Sequence, residues 1–530
     1  MSVTRSFRDL FQSFLKRSLS KKEKDLFIFT PDLELLQSPT AKNGEEFLEQ
    51  LEKKFKNKLT SKQYLLGTRT KTKPLKFSEL NSKLKKSPVT FVIFPGFMSE
   101  FIETRTFEEV FRKSKKSTFY KECDAKAYPQ MERDFHISSL DDSRGETQFR
   151  ALLFNTPRVS LETIGDIREN AKDFKKRLER FSLAMGSAPE NLVFLGYSRG
   201  AMVALDLLAF AHQEKASWLS QVKGMVTLGG VIWGSELADL TEKEGTPNAK
   251  EIALLKKLKN ELKPTLDFHT LQRGSQTLSE YLWGFIRKKY KISERDQEIL
   301  KNNTRAWYIY GKEIAKLNLD WSLFSMLFSS LRSKEGVHTQ EILKHLVNIL
   351  GKEFGLLNFV SGYAENTVRF QKFIEAILVG TSQMTTKARI EWWKIHQLPT
   401  DGISYYSVVA TMVDPESPKE NKTLAKNKQV YDHSLVDYKY SLRNYRSMKK
   451  MTGSALNDSQ MSMSKAVFWP ELIKLLNPNQ SPLNSELLGI LGTSHWGLAI
   501  EIVTRMKNGA VDPFPREVLL KSIAASVQPH

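Results

Sequence analysis

Residues 192–206 read Leu-Val-Phe-Leu-Gly-Tyr-Ser-Arg-Gly-Ala-Met-Val-Ala-Leu-Asp. A short apolar run enters Gly196-Tyr197-Ser198-Arg199-Gly200, and a helix-like pattern leaves it at once. Gly-x-Ser-x-Gly between a strand and a helix makes a turn too tight for side chains on its flanks. The glycines relieve the crowding, and the serine is held up in a strained, exposed position. The chemistry this arrangement suits is nucleophilic attack by Ser198. A serine hydroxyl is a weak nucleophile at neutral pH, so it needs a base within hydrogen-bond reach and an orienting partner for that base.

Nine histidines are candidates for the base. His136 precedes the serine, and His212 sits on the helix that follows it. His269, His338, His345 and His396 fall in a long helical stretch, His433 in a charged loop and His530 at the C-terminus. His495 alone follows a terminal apolar strand, in the turn Gly492-Thr493-Ser494-His495-Trp496-Gly497. An imidazole there would project over the carboxyl ends of the strands, where a general base is needed. The acid has several candidates: Asp414 just past the strand at 403–410, Asp432 and Asp437 flanking His433, and Asp458 in the turn Leu456-Asn457-Asp458-Ser459-Gln460-Met461.

The elements that must position these groups read as alternating strands and helices. Val89–Phe94 is an apolar run that suits a strand buried on both faces, ending at Pro95-Gly96-Phe97. Residues 100–145 read as short helices and loops, 150–154 as a strand and 161–181 as a helix with apolar spacing at Ile164, Ile167, Ala171, Phe174 and Leu178. Strands follow at 191–195, 222–228, 403–410 and 487–491. Together they predict an α/β fold, a mostly parallel sheet with helices on both faces. Between the strands at 222–228 and 403–410 the alternation stops, and residues 236–400 are almost entirely helical in pattern. The expected organisation is a basic helical N-terminal extension (1–87), a core in two halves (88–235 and 401–530) and a helical cap or lid insertion (236–400).

These motifs, in this order, resemble the α/β-hydrolase superfamily and its lipase-like members. The resemblance covers about 88–235 and 401–505. It implies a triad in the chain order Ser, acid, His. Lipase-like members carry the acid in an Asn-Asp-Gly-x-Val turn after a Tyr-Tyr-Ser-like strand. Tyr405-Tyr406-Ser407 and Asn457-Asp458-Ser459-Gln460-Met461 match in order and distance, with Ser459 replacing the glycine. The resemblance therefore favours Asp458 as the acid, with Asp414 as runner-up. It implies an oxyanion hole from the backbone N–H of Arg199 and of Phe97, with Pro95 where the family has a histidine. Gly234-Ser235, then Leu237-Ala238-Asp239, fits a lipase pattern whose Pro-His is here Val231-Ile232.

The implied activity is hydrolysis of carboxylic esters through an acyl-enzyme, with lipid esters the expected substrates and no metal or organic cofactor. Acyltransferases and thioesterases use the same triad, and a non-catalytic hydrolase-fold scaffold that binds a lipid or protein is an alternative of another class. The chain is 530 residues long, 40% hydrophobic and 26% charged, an ordinary globular balance. Cys123 is its only cysteine, which excludes an internal disulfide and a multi-cysteine metal site and fits a cytoplasmic protein. No run of 18 apolar residues is present, so no transmembrane helix is expected. The formal charge is +20, and residues 1–87 hold 20 Lys and Arg against 10 Asp and Glu. Such a balance favours anionic partners. Phe7, Leu10, Phe11, Phe14 and Leu15 line one side of a basic helix over residues 1–20, a pattern suited to peripheral contact with an anionic membrane or to docking on its own domain. No nucleic-acid fold signature occurs, so specific nucleic-acid binding is not expected.

Overall fold

The computed structural model describes residues 40–58, 89–97, 129–141, 147–154, 163–184, 191–236, 379–412, 456–499 and 516–527. It also describes positions 11, 27–28, 107, 238–239, 376, 445–446, 448–450 and 452–453. The N-terminal amphipathic stretch other than Phe11, most of the 236–400 insertion, Asp414 and the Asp432–His433–Asp437 cluster lie outside these residues.

The strands are β1 (Phe27–Ile28), β2 (Val89–Phe94), β3 (Phe135–Asp141), β4 (Thr147–Phe154), β5 (Leu192–Tyr197), β6 (Val222–Leu228), β7 (Ser404–Ala410) and β8 (Ser485–Leu491). They form one sheet in the order β1-β8-β7-β6-β5-β2-β4-β3. The six strands from β8 to β4 are parallel, and β1 and β3 close the two edges antiparallel. This is an α/β fold. Because the six run the same way, their carboxyl ends share one edge of the sheet: Gly196 pairs with Phe94, Tyr197 with Leu228, and Ala410 with Leu491. In parallel sheets that edge is where sites are built.

The central strands are apolar because both faces are covered. Every residue of β2, β5 and β7 is buried. The helix α1 spans Gly44–Lys58, α2 Ile167–Ala184 and α3 Arg199–Gln213. In α2 the apolar spacing puts Phe174 against β4, its ring stacked on Phe154 at 4.2 Å. The α3 helix is buried from Arg199 to Ala211, as its apolar composition on every side requires.

Three features differ from the sequence reading. β3 falls within 100–145, read as helices and loops. Its mixed polar composition gives no continuous apolar run, and it is an edge strand. The described part of residues 1–87 belongs with the sheet: Phe27 pairs with Leu491, and Phe47, Leu48 and Leu51 of α1 are buried. The third is α4 (Thr386–Ile395), which lies within the stretch read as the insertion. The chain divides into a unit of Met1–Ser99, Thr104–Glu236 and Gln383–His530 and a second of Glu100–Glu103 and Leu237–Ser382, so α4 belongs to the sheet unit. Trp393 of α4 stacks on Trp233 with centroids 5.0 Å apart and donates from Nε1 to the Ile232 carbonyl. Among the described residues, no helix is long and apolar enough to cross a membrane.

Asp206 ties α3 to α4. It is buried and accepts a hydrogen bond from Trp392 Nε1 at 2.8 Å. Burial holds its carboxyl above the usual range, against the opposing pull of Arg389 and the Trp392 bond. The same burial lowers the Arg389 guanidinium to about 10. When folding raises an acid's pKa, the stability it contributes is full below the unfolded pKa and is lost as pH rises through the folded one. Asp206→Asn keeps an oxygen for Trp392 and removes this dependence. The difference in melting temperature between Asp206→Asn and wild type should therefore move in the variant's favour as pH rises from about 4 toward neutrality. Parallel thermal melts across that range check it, and a flat or opposite trend contradicts the buried-acid account.

Candidate active site

Ser198 sits between β5 and α3 with φ 54 and ψ −125, a left-handed backbone conformation for a residue with a side chain. Such conformations cost roughly 1–3 kcal/mol and persist only where the surroundings enforce them. The surroundings here are specific. Ser198 N donates to the Leu228 carbonyl at 3.1 Å, and its own carbonyl accepts from Ala201 N at 3.1 Å and Val231 N at 3.2 Å. A Cβ at Gly196 would lie 2.5 Å from Ala201 Cα, and one at Gly200 would fall on the carbonyl oxygens of Phe94 and Pro95. The pattern Gly-x-Ser-x-Gly is therefore what lets α3 leave the sheet pressed against the end of β2.

Ser198, His495 and Asp458, far apart in the chain, are brought into one row. His495 Nε2 lies 2.8 Å from Ser198 Oγ, and His495 Nδ1 lies 2.6 Å from Asp458 Oδ2. An ionised carboxylate only accepts, so the consistent tautomer donates from Nδ1–H to Asp458 and accepts at Nε2 from the serine hydroxyl. All three side chains are buried or nearly so.

Asp458 is presented by a tight loop. Its Oδ1 accepts from Gln460 N at 3.0 Å and Met461 N at 2.9 Å, which leaves Oδ2 for the imidazole. Asn457 Oδ1 accepts from Ser459 N at 3.1 Å, an Asx turn. Ser459, where the resemblance expects glycine, has φ 85, so this serine adopts the backbone a glycine would favour. His495 N donates to the Asp458 carbonyl at 2.8 Å, which ties the two turns by backbone as well as side chain.

The oxyanion donors expected from the sequence are the backbone N–H groups of Arg199 and Phe97. Arg199 opens α3, so the positive end of that helix dipole lies at Ser198. Its guanidinium is buried and donates to the Gly165 carbonyl at 2.5 Å. Phe97 follows the Pro95-Gly96 turn at the end of β2. That turn rests on the serine: a Cβ at Gly96 would come within 2.8 Å of the Tyr197 ring and 3.3 Å of Ser198 Cβ.

Sequence reasoning missed several contributors. Tyr197 donates its hydroxyl to the His495 carbonyl at 3.1 Å. Burial, reinforced by the Asp458 charge, pushes its phenol well above the ordinary range, so it remains a donor. Gly229 has φ 51, and a Cβ there would press on Leu498 at 3.0 Å, His495 Nδ1 at 3.2 Å and Asp458 Oδ2 at 3.3 Å. A double glycine ending a central strand was the available signal for that close approach. Of the other histidines, His212 is exposed on the last turn of α3, and His396 packs on Trp392 with centroids 4.7 Å apart.

No protein-family model matches the chain. No curated protein matches it either. Among solved structures it is similar to a metagenomic carboxyl esterase at 16% identity, over 87% of this chain and 80% of that one, with a TM-score of 0.38.

The turn's geometry makes a stability prediction. Gly200→Ala should lower the unfolding free energy by at least about 3 kcal/mol, because the carbonyls it meets are backbone and cannot rotate aside. Denaturant unfolding of the variant measures it.

Proposed function

We propose that this chain is a serine hydrolase of the α/β-hydrolase type acting on carboxylic esters. The observation that carries this reading is the hydrogen-bonded row Ser198 Oγ, His495 Nε2, His495 Nδ1, Asp458 Oδ2, with the serine on a strained turn at the carboxyl edge of a parallel sheet. Ser198 Oγ attacks the ester carbonyl carbon while its proton passes to His495 Nε2. The imidazolium is oriented and stabilised by Asp458. The oxyanion is met by the backbone N–H groups of Phe97 and Arg199 and by the dipole of α3. Collapse expels the alcohol, protonated by His495. Water, deprotonated by the same base, then releases the acid and restores the serine.

Lipid esters are the proposed substrate class. In support, the long segment between β6 and β7 contains the apolar run Leu319–Leu331, and the chain carries a net charge of +20 suited to anionic interfaces.

Two measurements test this. A fluorophosphonate probe should label wild type and leave Ser198→Ala unlabelled, and Asp458→Asn should lower kcat by about 10³–10⁴-fold with the fold intact. Equal labelling of Ser198→Ala sinks the enzyme reading. Rates on esters of graded chain length, below and above the concentration at which they form micelles, test the substrate class. A rise on passing to micelles is expected, and equal activity on both forms counts against lipid interfaces.

A further inference from the structure

The mechanism uses Asp458 but not the buried charges beneath its turn. Glu236 follows the segment that leaves β6 and is buried, with 6% of its surface exposed. Its two carboxylate oxygens grip one residue. Ser462 Oγ donates to Oε1 at 2.5 Å, and Ser462 N donates to Oε2 at 3.2 Å. Ser462 closes the acid loop, since it bridges antiparallel to Asn457, the neighbour of Asp458. Next along, Met463 N donates to the Leu456 carbonyl at 2.9 Å.

The carboxylate is balanced by Lys465, itself buried, whose Nζ lies 3.4 Å from Glu236 Oε1 and donates to Thr386 Oγ1 at 2.5 Å. Ser462 Oγ also lies 3.0 Å from Ser464 Oγ, and Ser464 donates to Glu52 of α1. One residue before Glu236, Ser235 Oγ donates to the Gln460 carbonyl at 3.2 Å, inside the same loop. A charged pair is costly to bury, and this one serves no reaction step. Its hydrogen bonds converge on the loop whose far side aims Asp458 Oδ2 at His495.

We propose that Glu236 is a positioning residue for Asp458. Through Ser462 it fixes the loop from which the carboxylate reaches His495 Nδ1, with Lys465 holding the Glu236 charge in place. The kinetic consequence rests on the serine-hydrolase reading, whereas the geometric one does not.

The test compares full-length wild type with Glu236→Gln, Glu236→Ala, Ser462→Ala, Asp458→Asn and the double variant Glu236→Ala/Asp458→Asn, each checked for folding by circular dichroism. Two quantities are read: kcat and KM on an ester that wild type hydrolyses, and the low-field proton NMR signal of the His495–Asp458 hydrogen bond. Glu236→Ala should lose the low-field signal and lower kcat by about 10²-fold with little change in KM, the scale of loss for a small displacement of a catalytic group. Glu236→Gln can still bond both groups of Ser462: its amide oxygen accepts from Ser462 N, and its amide N–H donates to Ser462 Oγ, whose own proton can turn to Ser464 Oγ 3.0 Å away. It should keep the signal and lose less than about tenfold in kcat. Ser462→Ala should fall in the same direction as Glu236→Ala.

Added to Asp458→Asn, the Glu236→Ala change should cost almost nothing more, because the residue acts through that carboxylate. A folded Glu236→Ala that keeps the signal and the rate overturns the proposal. So does an equal fold-loss with and without Asp458, or a Ser462→Ala variant indistinguishable from wild type. If Glu236→Ala does not fold, Ser462→Ala decides by the same criteria. If wild type shows no Ser198-dependent hydrolysis, the hydrolase reading fails, and the NMR signal alone settles the positioning role.

Discussion

The backbone of Ser198 cannot relax. Its left-handed conformation exists because β5 must hand over to α3 within one residue while α3 lies against the end of β2. Two glycines remove the side chains that would collide there. Hydrogen bonds to Leu228, Val231 and Ala201 hold the peptide units on either side. The rest of the site is an answer to this constraint. Once the hydroxyl is fixed at the carboxyl edge of the sheet, His495, Asp458 and the β2 turn have one place each to stand.

The loops that meet the serine are joined to one another as well as to the sheet. Gly229 N donates to the Val408 carbonyl, Thr411 N to Leu491 and Met412 N to Asn457, so the ends of β6, β7 and β8 form a continuous backbone mesh. His495 is held from two sides, by Asp458 through ring and amide and by Tyr197 through its carbonyl. Polar contacts in such a buried region are worth most when every partner is satisfied, which is how this mesh makes the geometry rigid. Gly229 is the point where the packing leaves no room: its missing side chain is the space that the His495–Asp458 pair occupies.

What was legible in the sequence follows from how local each signal is. The serine turn was readable because the steric rule that demands its glycines acts within five residues. His495 was readable because, apart from His530 at the C-terminus, it is the one histidine that follows the last apolar strand. Asp458 was legible only through its turn, and Ser459 blurred that turn by taking a glycine's backbone without being one. β3 was illegible because an edge strand need not be apolar. The place of α4 could not be read, since Trp393 finds Trp233 only after the chain has travelled through the whole insertion. Glu236 and Ser462 are 226 residues apart, and no pattern along the chain ties a lone glutamate to a lone serine.

The insertion between β6 and β7 also sets the order in which the molecule can be assembled during synthesis. β2, β5 and β6 pair early, and the Ser198 turn lies among them. β7 and β8, with the segments bearing Asp458 and His495, emerge only after the insertion has been made. Closing so long a loop costs entropy, a penalty that grows only slowly with length, but it delays the non-local pairing of β7 on β6. Until then the exposed edge of β6 is an unpaired, apolar strand, the kind of surface on which nascent chains aggregate or recruit chaperones. The strained serine is thus made before the residues that meet its side chain, and the vulnerable interval in the life of this chain is the translation of the insertion.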